Sequence, residues 1–123
     1  GYVFINGTTT IPENIIIFFL VFTSLSANFI DLKDIQGDRA AGIRTLPVLT
    51  GERWGHCLIG VISFPTYIAA YWIFALKGCF WLCLIMGVLQ YLLVNRKPYS
   101  DRWVMALHTC AVFFIICYKI LNL

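Results

Sequence analysis

Charge is what this sequence lacks. Only 12% of its 123 residues are Asp, Glu, Lys or Arg, while 60% are hydrophobic. A soluble domain is nearer a quarter charged and about half apolar, and one this small needs polar side chains to cover its surface. Nine Lys and Arg plus six Asp and Glu make 15 charges, and 8 of them fall between Asp31 and Arg53, leaving 7 for all other positions. That deficit excludes a soluble enzyme and a disordered chain. A net charge of only +3 without a basic stripe excludes a nucleic-acid-binding domain. Internal repeats, low-complexity stretches and coiled-coil heptads are also missing. The chain opens Gly1-Tyr2-Val3-Phe4, with neither an initiating Met nor the basic segment of a signal peptide. It reads as a piece of a longer chain or a processed product. The class that remains is a polytopic membrane protein.

Crossing about 30 Å of hydrocarbon takes roughly 20 apolar residues. Four segments come close: 14–30, 55–76, 78–94 and 103–121, none with an acidic residue. The first and third are short, so they are expected to extend past these limits or to sit slanted among neighbours. Pro65 predicts a kink in the second. The expected fold is therefore all-α, a transmembrane bundle of about four helices. Between the first two spans lies a polar connection, 31–54, longer than a helix hairpin requires. It shares a side with the loop Arg96 to Arg102. Together they hold Lys33, Arg39, Arg44, Arg53, Arg96, Lys97 and Arg102, against Lys77 and Lys119 on the other side. The positive-inside tendency puts the 31–54 segment in the cytoplasm. Asn6-Gly7-Thr8 matches a glycosylation sequon on the opposite side, a pattern short enough to arise by chance.

Three of the six acidic residues, Asp31, Asp34 and Asp38, fall within eight positions. On a helix turning about 100° per residue they share an arc of roughly 60°, with Asn28 just beside it. Lys33 points away from Asp34, and Gly37 weakens the last turn. Three adjacent carboxylates repel one another. A hard divalent cation such as Mg²⁺, which takes oxygen ligands and typically joins one or two carboxylates to a substrate phosphate, removes that problem. The competing reading is a solvated acidic helix end neutralised by Lys33 and Arg39. Gly37 and Gly42 allow tight turns or close approach to a ligand, and Arg39 and Arg44 carry planar forks suited to phosphate oxygens. Loop arginines also serve simply as membrane-surface anchors.

The stretch from Asn28 to Pro47, NFIDLKDIQGDRAAGIRTLP, resembles the second aspartate-rich motif of the UbiA superfamily of intramembrane prenyltransferases. One span before it and three after resemble the C-terminal part of that nine-helix fold. The resemblance implies that Asp34 and Asp38 are the catalytic D-x-x-x-D pair, with Asp31 one turn earlier completing the Mg²⁺ ligands. It also implies that Asn28, Lys33, Arg39 and Arg44 contact a prenyl diphosphate. The implied partners are that donor, a hydrophobic aromatic or lipid acceptor, and the helices that carry the family's first motif, which occurs nowhere in these 123 residues. On this reading the chain supplies half of a metal site and is inactive alone. A terpene cyclase of the same fold and a non-catalytic membrane fragment are the alternatives. The CDP-alcohol phosphotransferases need a D-G-x-x-A-R signature that the chain lacks.

Other residues invite weighing. Tyr67, Tyr71 and Trp72 could face a carbocation or simply pack. The five cysteines all lie in apolar spans and read as small packing residues, including Cys79 and Cys83 one turn apart. His56 suits a membrane interface. His108, inside the fourth span, is expected to hydrogen-bond across helices, although buried ionisable groups in membranes are often functional. Asp101 either caps its helix with Ser100 or joins the site.

Overall fold

The computed structural model describes residues 13–121. Five helices follow in order: α1 Glu13–Ala40, α2 Leu46–Thr50, α3 Glu52–Ile73, α4 Phe80–Val94 and α5 Asp101–Leu121, with no strand among the described residues. The sequon at Asn6 lies outside the described residues.

α1, α3 and α5 are each long and apolar enough to cross a membrane. Large apolar side chains stand exposed along them, among them Leu20 at 62% and Phe113 at 68%. In water such surfaces would drive aggregation, whereas lipid is as apolar as they are. α4 is equally apolar but has 15 residues, a rise of about 22 Å against ~30 Å of hydrocarbon. Of the two short spans, the first extends as expected and the third does not. Ala75 and Gly78 adopt left-handed backbone angles (φ 48° and 77°), and the turn they form delays the start of α4 to Phe80. α3 runs through Pro65.

The buried stripe of α1 is Phe18, Phe22, Leu25, Phe29, Leu32 and Ile35. The steps of three and four residues keep it on one face. That face packs on α3 and α5, and α4 packs on α3 and α5 in turn. Two apolar clusters result. One, around Phe18, Phe22, Tyr67, Phe74 and Ile115, lies toward the Phe74–Cys79 turn. The other, around Leu25, Phe29, Leu32, Ile59, Val94 and Val104, lies toward the polar end. Two glycines set the α3–α4 approach. A Cβ on Gly60 would come within 2.7 Å of Asn95 Nδ2 and 2.9 Å of the Tyr91 ring, and one on Gly87 within 3.1 Å of the Phe64 ring. Small residues at a helix interface of this kind let backbones close in where dispersion, not water, supplies the attraction.

Candidate functional site

The segment 31–54 is not an irregular loop. α1 continues through Gly37 to Ala40, because the Leu32 and Ile35 side chains keep the buried stripe going past the apolar span. It ends on Gly42 at φ 73°. There the Ile43 amide bonds the Asp38 carbonyl at 2.8 Å and the Gly42 amide bonds the Arg39 carbonyl at 3.3 Å. This six-to-one and five-to-two pair is a Schellman ending, which satisfies carbonyls that the helix leaves open. A short α2 follows, started by Pro47 and packed against both α1 and α3.

All three clustered aspartates therefore sit on one regular helix, as their spacing predicts. Their shared arc lies about 150° round from the buried stripe, on the side of α1 turned away from α3 and α5. Asp34 is exposed, and Asp31 and Asp38 are half-buried. The same side continues along α1 as an apolar surface that includes Ile16, Leu20 and Ile30, all exposed. Asp31 lies just beyond the apolar stretch that ends at Ile30. Its carboxyl is pushed above the usual carboxylate range, first by burial and then by the negative charges of Asp38 and Asp34.

The competing reading, local neutralisation of the carboxylates, does not use Lys33. Its ammonium sits 3.3 Å from Asp101 in the first turn of α5, the one ion pair among the described residues. Lys33 is thus turned from the carboxylates toward α5, and Asp101 is engaged with it rather than with the cluster. Being largely exposed, this pair adds little stability. Arg39 and Arg44 are exposed beyond the carboxylates, without an ion pair among the described residues. Asn28 is half-buried and donates Nδ2 to the Ser24 carbonyl at 2.8 Å. It borders an apolar groove of about 250 Å³ between α1 and α3, lined also by Leu20, Ser24, Leu46 and Ile62.

No three His, Cys, Asp or Glu side chains among the described residues converge into a group that could hold a metal alone. The donor set still suits Mg²⁺, which is satisfied by one or two carboxylates plus waters and phosphate oxygens. Burial first, and the like charges of Asp38 and Asp34 second, disfavour the Asp31 anion, and such a cation would offset both. One residue of the segment carries no signal in its spacing. Thr45 precedes α2, makes no capping bond, and keeps a buried hydroxyl oxygen without a partner among the described residues. Such an orphan is costly, and only the folded surroundings reveal it.

The remaining polar groups resolve into packing. His108 is buried, donates Nε2–H to the Phe22 carbonyl at 3.0 Å and accepts from the Tyr67 hydroxyl at 3.4 Å through Nδ1. Its ring stacks on Phe22 at 3.6 Å between centroids. Tyr67 is thus a core residue, whereas Trp72 is 73% exposed. Tyr99 donates to the Phe29 carbonyl at 2.7 Å. Burial, and secondly Asp101, push its phenol further above its ordinary value, so it stays a donor. His56 Nδ1 donates to the Val94 carbonyl at 2.6 Å. The cysteines are free thiols.

No family model matches the chain, and no solved structure matches it. Two curated proteins are similar to it. One is the diterpene cyclase eriG of Hericium erinaceus, 34% identical over 77 residues, covering 62% of this chain and 24% of the relative. The other is the digeranylgeranylglyceryl phosphate synthase of Pyrococcus furiosus, 42% identical over 41 residues, covering 33% of this chain and 15% of the relative. The chain thus spans a quarter or less of the length of these relatives. Both similarities agree with the UbiA-type resemblance carried by Asn28 to Pro47.

Proposed function

We propose that this chain contributes the second diphosphate-binding motif of a UbiA-type enzyme, which transfers an isoprenoid group from a prenyl diphosphate to an aromatic or lipid-like acceptor inside the membrane. One observation carries the reading. The three carboxylates cap an outward-facing, apolar side of α1, so a charged head and a prenyl tail would find matching surfaces along one helix. The groove beginning at Asn28 extends that surface toward α3.

Asp34 and Asp38, with Asp31 one turn earlier, would hold Mg²⁺. Bound there, the ion supplies positive charge to a departing diphosphate. The chain's own residues do the rest. Arg39 and Arg44, on either side of the Gly42 turn, reach for non-bridging phosphate oxygens, and Asn28 can offer its amide at the groove mouth. The allylic C–O bond breaks, its electron pair leaves with the diphosphate, and the acceptor forms the new bond to carbon as it gives up a proton. Exposed Leu20, Ile16 and their neighbours keep water from the cation and seat the tail. Intramolecular capture would make the same chemistry a terpene cyclisation, a reading favoured by the name of the fungal relative. The test is diphosphate release from a prenyl diphosphate by membranes containing the full-length protein. Release that requires Mg²⁺ and stops with a chelator is expected, and metal-independent release would refute the assignment.

The carboxylate end is assigned to the cytoplasmic side. Contacts already gather Phe29, His56, Val94, Tyr99 and Asp101 at one end of the bundle, while Tyr118 bonds the Lys77 carbonyl at the other. Seven Lys and Arg residues flank the first end. A cysteine introduced by Gln36→Cys on this end should be protected from an impermeant thiol reagent in intact cells and labelled after permeabilisation. Labelling only from outside would reverse the orientation.

A further inference from the structure

The polar end of the bundle holds a second feature that the carboxylate motif does not explain. A cavity of about 550 Å³ opens between the start of α3 and the connection from α4 to α5. Its charged lining is Arg53, Arg96 and Lys97 against the single carboxylate of Glu52. All three cations are exposed and none has an ion-pair partner among the described residues. Its inner wall is fixed. His56 is tied to the Val94 carbonyl, Asn95 Nδ2 to the Tyr91 carbonyl at 3.0 Å, and Tyr99 to the Phe29 carbonyl. The His56 and Tyr99 rings meet edge to face at 4.8 Å. Arg53 lies in the first turn of α3, where unpaired amides give the helix its positive end. None of the lining residues belongs to α1, which carries the aspartates.

The cavity also sits at a defined depth. Trp54 and Trp103, each the third residue of a membrane-crossing helix, are 69% and 58% exposed at this same end. Exposed indoles in such positions mark the lipid headgroup layer. Three unpaired cations in a rigid pocket at that level match a phosphate ester carried by the membrane itself.

We propose that this pocket binds the phosphate of an anionic phospholipid headgroup. Arg53 and Arg96 give planar forks to the phosphate oxygens, Lys97 gives a point charge, and the acyl chains lie against the exposed flanks of α3 and α4. The site is independent of the prenyl reading, and it would anchor the polar end of the bundle at a fixed height in the bilayer.

The test is lipid titration of the intact, delipidated protein in detergent, with bound lipid counted by native mass spectrometry. Phosphatidylglycerol should bind more tightly than phosphatidylcholine. Replacement by glutamine should weaken phosphatidylglycerol about fivefold for each of Arg53, Arg96 and Lys97, and about a hundredfold for all three. Arg102→Gln removes a cation at the same end but outside the cavity lining, and should leave the affinity unchanged. Lys97→Arg should retain binding, which separates charge from fold. Equal binding of the two lipids, an unaffected triple variant, or an Arg102→Gln loss as large as that of Arg96→Gln would each overturn the proposal. So would displacement of the lipid by equimolar inorganic phosphate, which would assign the pocket to a soluble anion instead.

Discussion

Asp34→Ala or Asp38→Ala in the full-length protein is expected to cut Mg²⁺-dependent diphosphate release by about 10²–10³-fold, the usual loss when one group that stabilises developing charge is removed. The fold should survive. Asp34 is exposed, Asp38 is half-buried, and neither side chain makes an ion pair among the described residues. Surface substitutions of that kind typically change stability by no more than about 0.5 kcal/mol. Removing one of three clustered negative charges also relieves repulsion that Asp31 already registers. Activity and stability should therefore separate, which a solvated acidic helix end would not produce. Diphosphate release by both variants at the wild-type rate would remove the carboxylates from the mechanism.

His108→Ala should produce the largest loss of stability, about 2–4 kcal/mol. The residue is only 3% exposed and joins three helices, through the Phe22 carbonyl on α1 and the Tyr67 hydroxyl on α3. Its ring also stacks on Phe22 and meets Phe29 edge to face at 5.2 Å. Hydrogen bonds between membrane helices average only about 0.6 kcal/mol, so most of the cost comes from the cavity and the lost ring contacts. His108→Phe keeps the ring volume and should cost about half as much. Thermal unfolding in detergent distinguishes these outcomes. An alanine variant as stable as the wild type would contradict the buried three-helix contact.

The membrane class was legible because it depends on composition alone, and exposed apolar residues such as Phe113 and Ile120 suit lipid surroundings. The carboxylate face was legible because Asp31, Asp34 and Asp38 are close in sequence and a helix fixes their relative direction. What sequence could not supply is which way that face points. Its outward direction depends on Phe22, Phe29 and Ile35 choosing α3 and α5 as partners. The remaining surprises are also long-range. Lys33 meets Asp101, Tyr99 meets Phe29, and His108 meets Phe22 across separations of 68, 70 and 86 residues. No local pattern encodes such pairs. Gly37 misled in the other direction, since its low helix propensity of about 1 kcal/mol is overridden by burial of Leu32 and Ile35 on the same turns.

The central claim is that the outward end of α1 binds a prenyl diphosphate through Mg²⁺, and a magnesium titration of donor binding tests it most directly. Wild-type full-length protein should bind a non-hydrolysable prenyl diphosphate analogue only when Mg²⁺ is present, and the Asp34→Asn/Asp38→Asn double variant should fail to bind it at any Mg²⁺ concentration. Equal, magnesium-independent binding by both proteins would contradict the account.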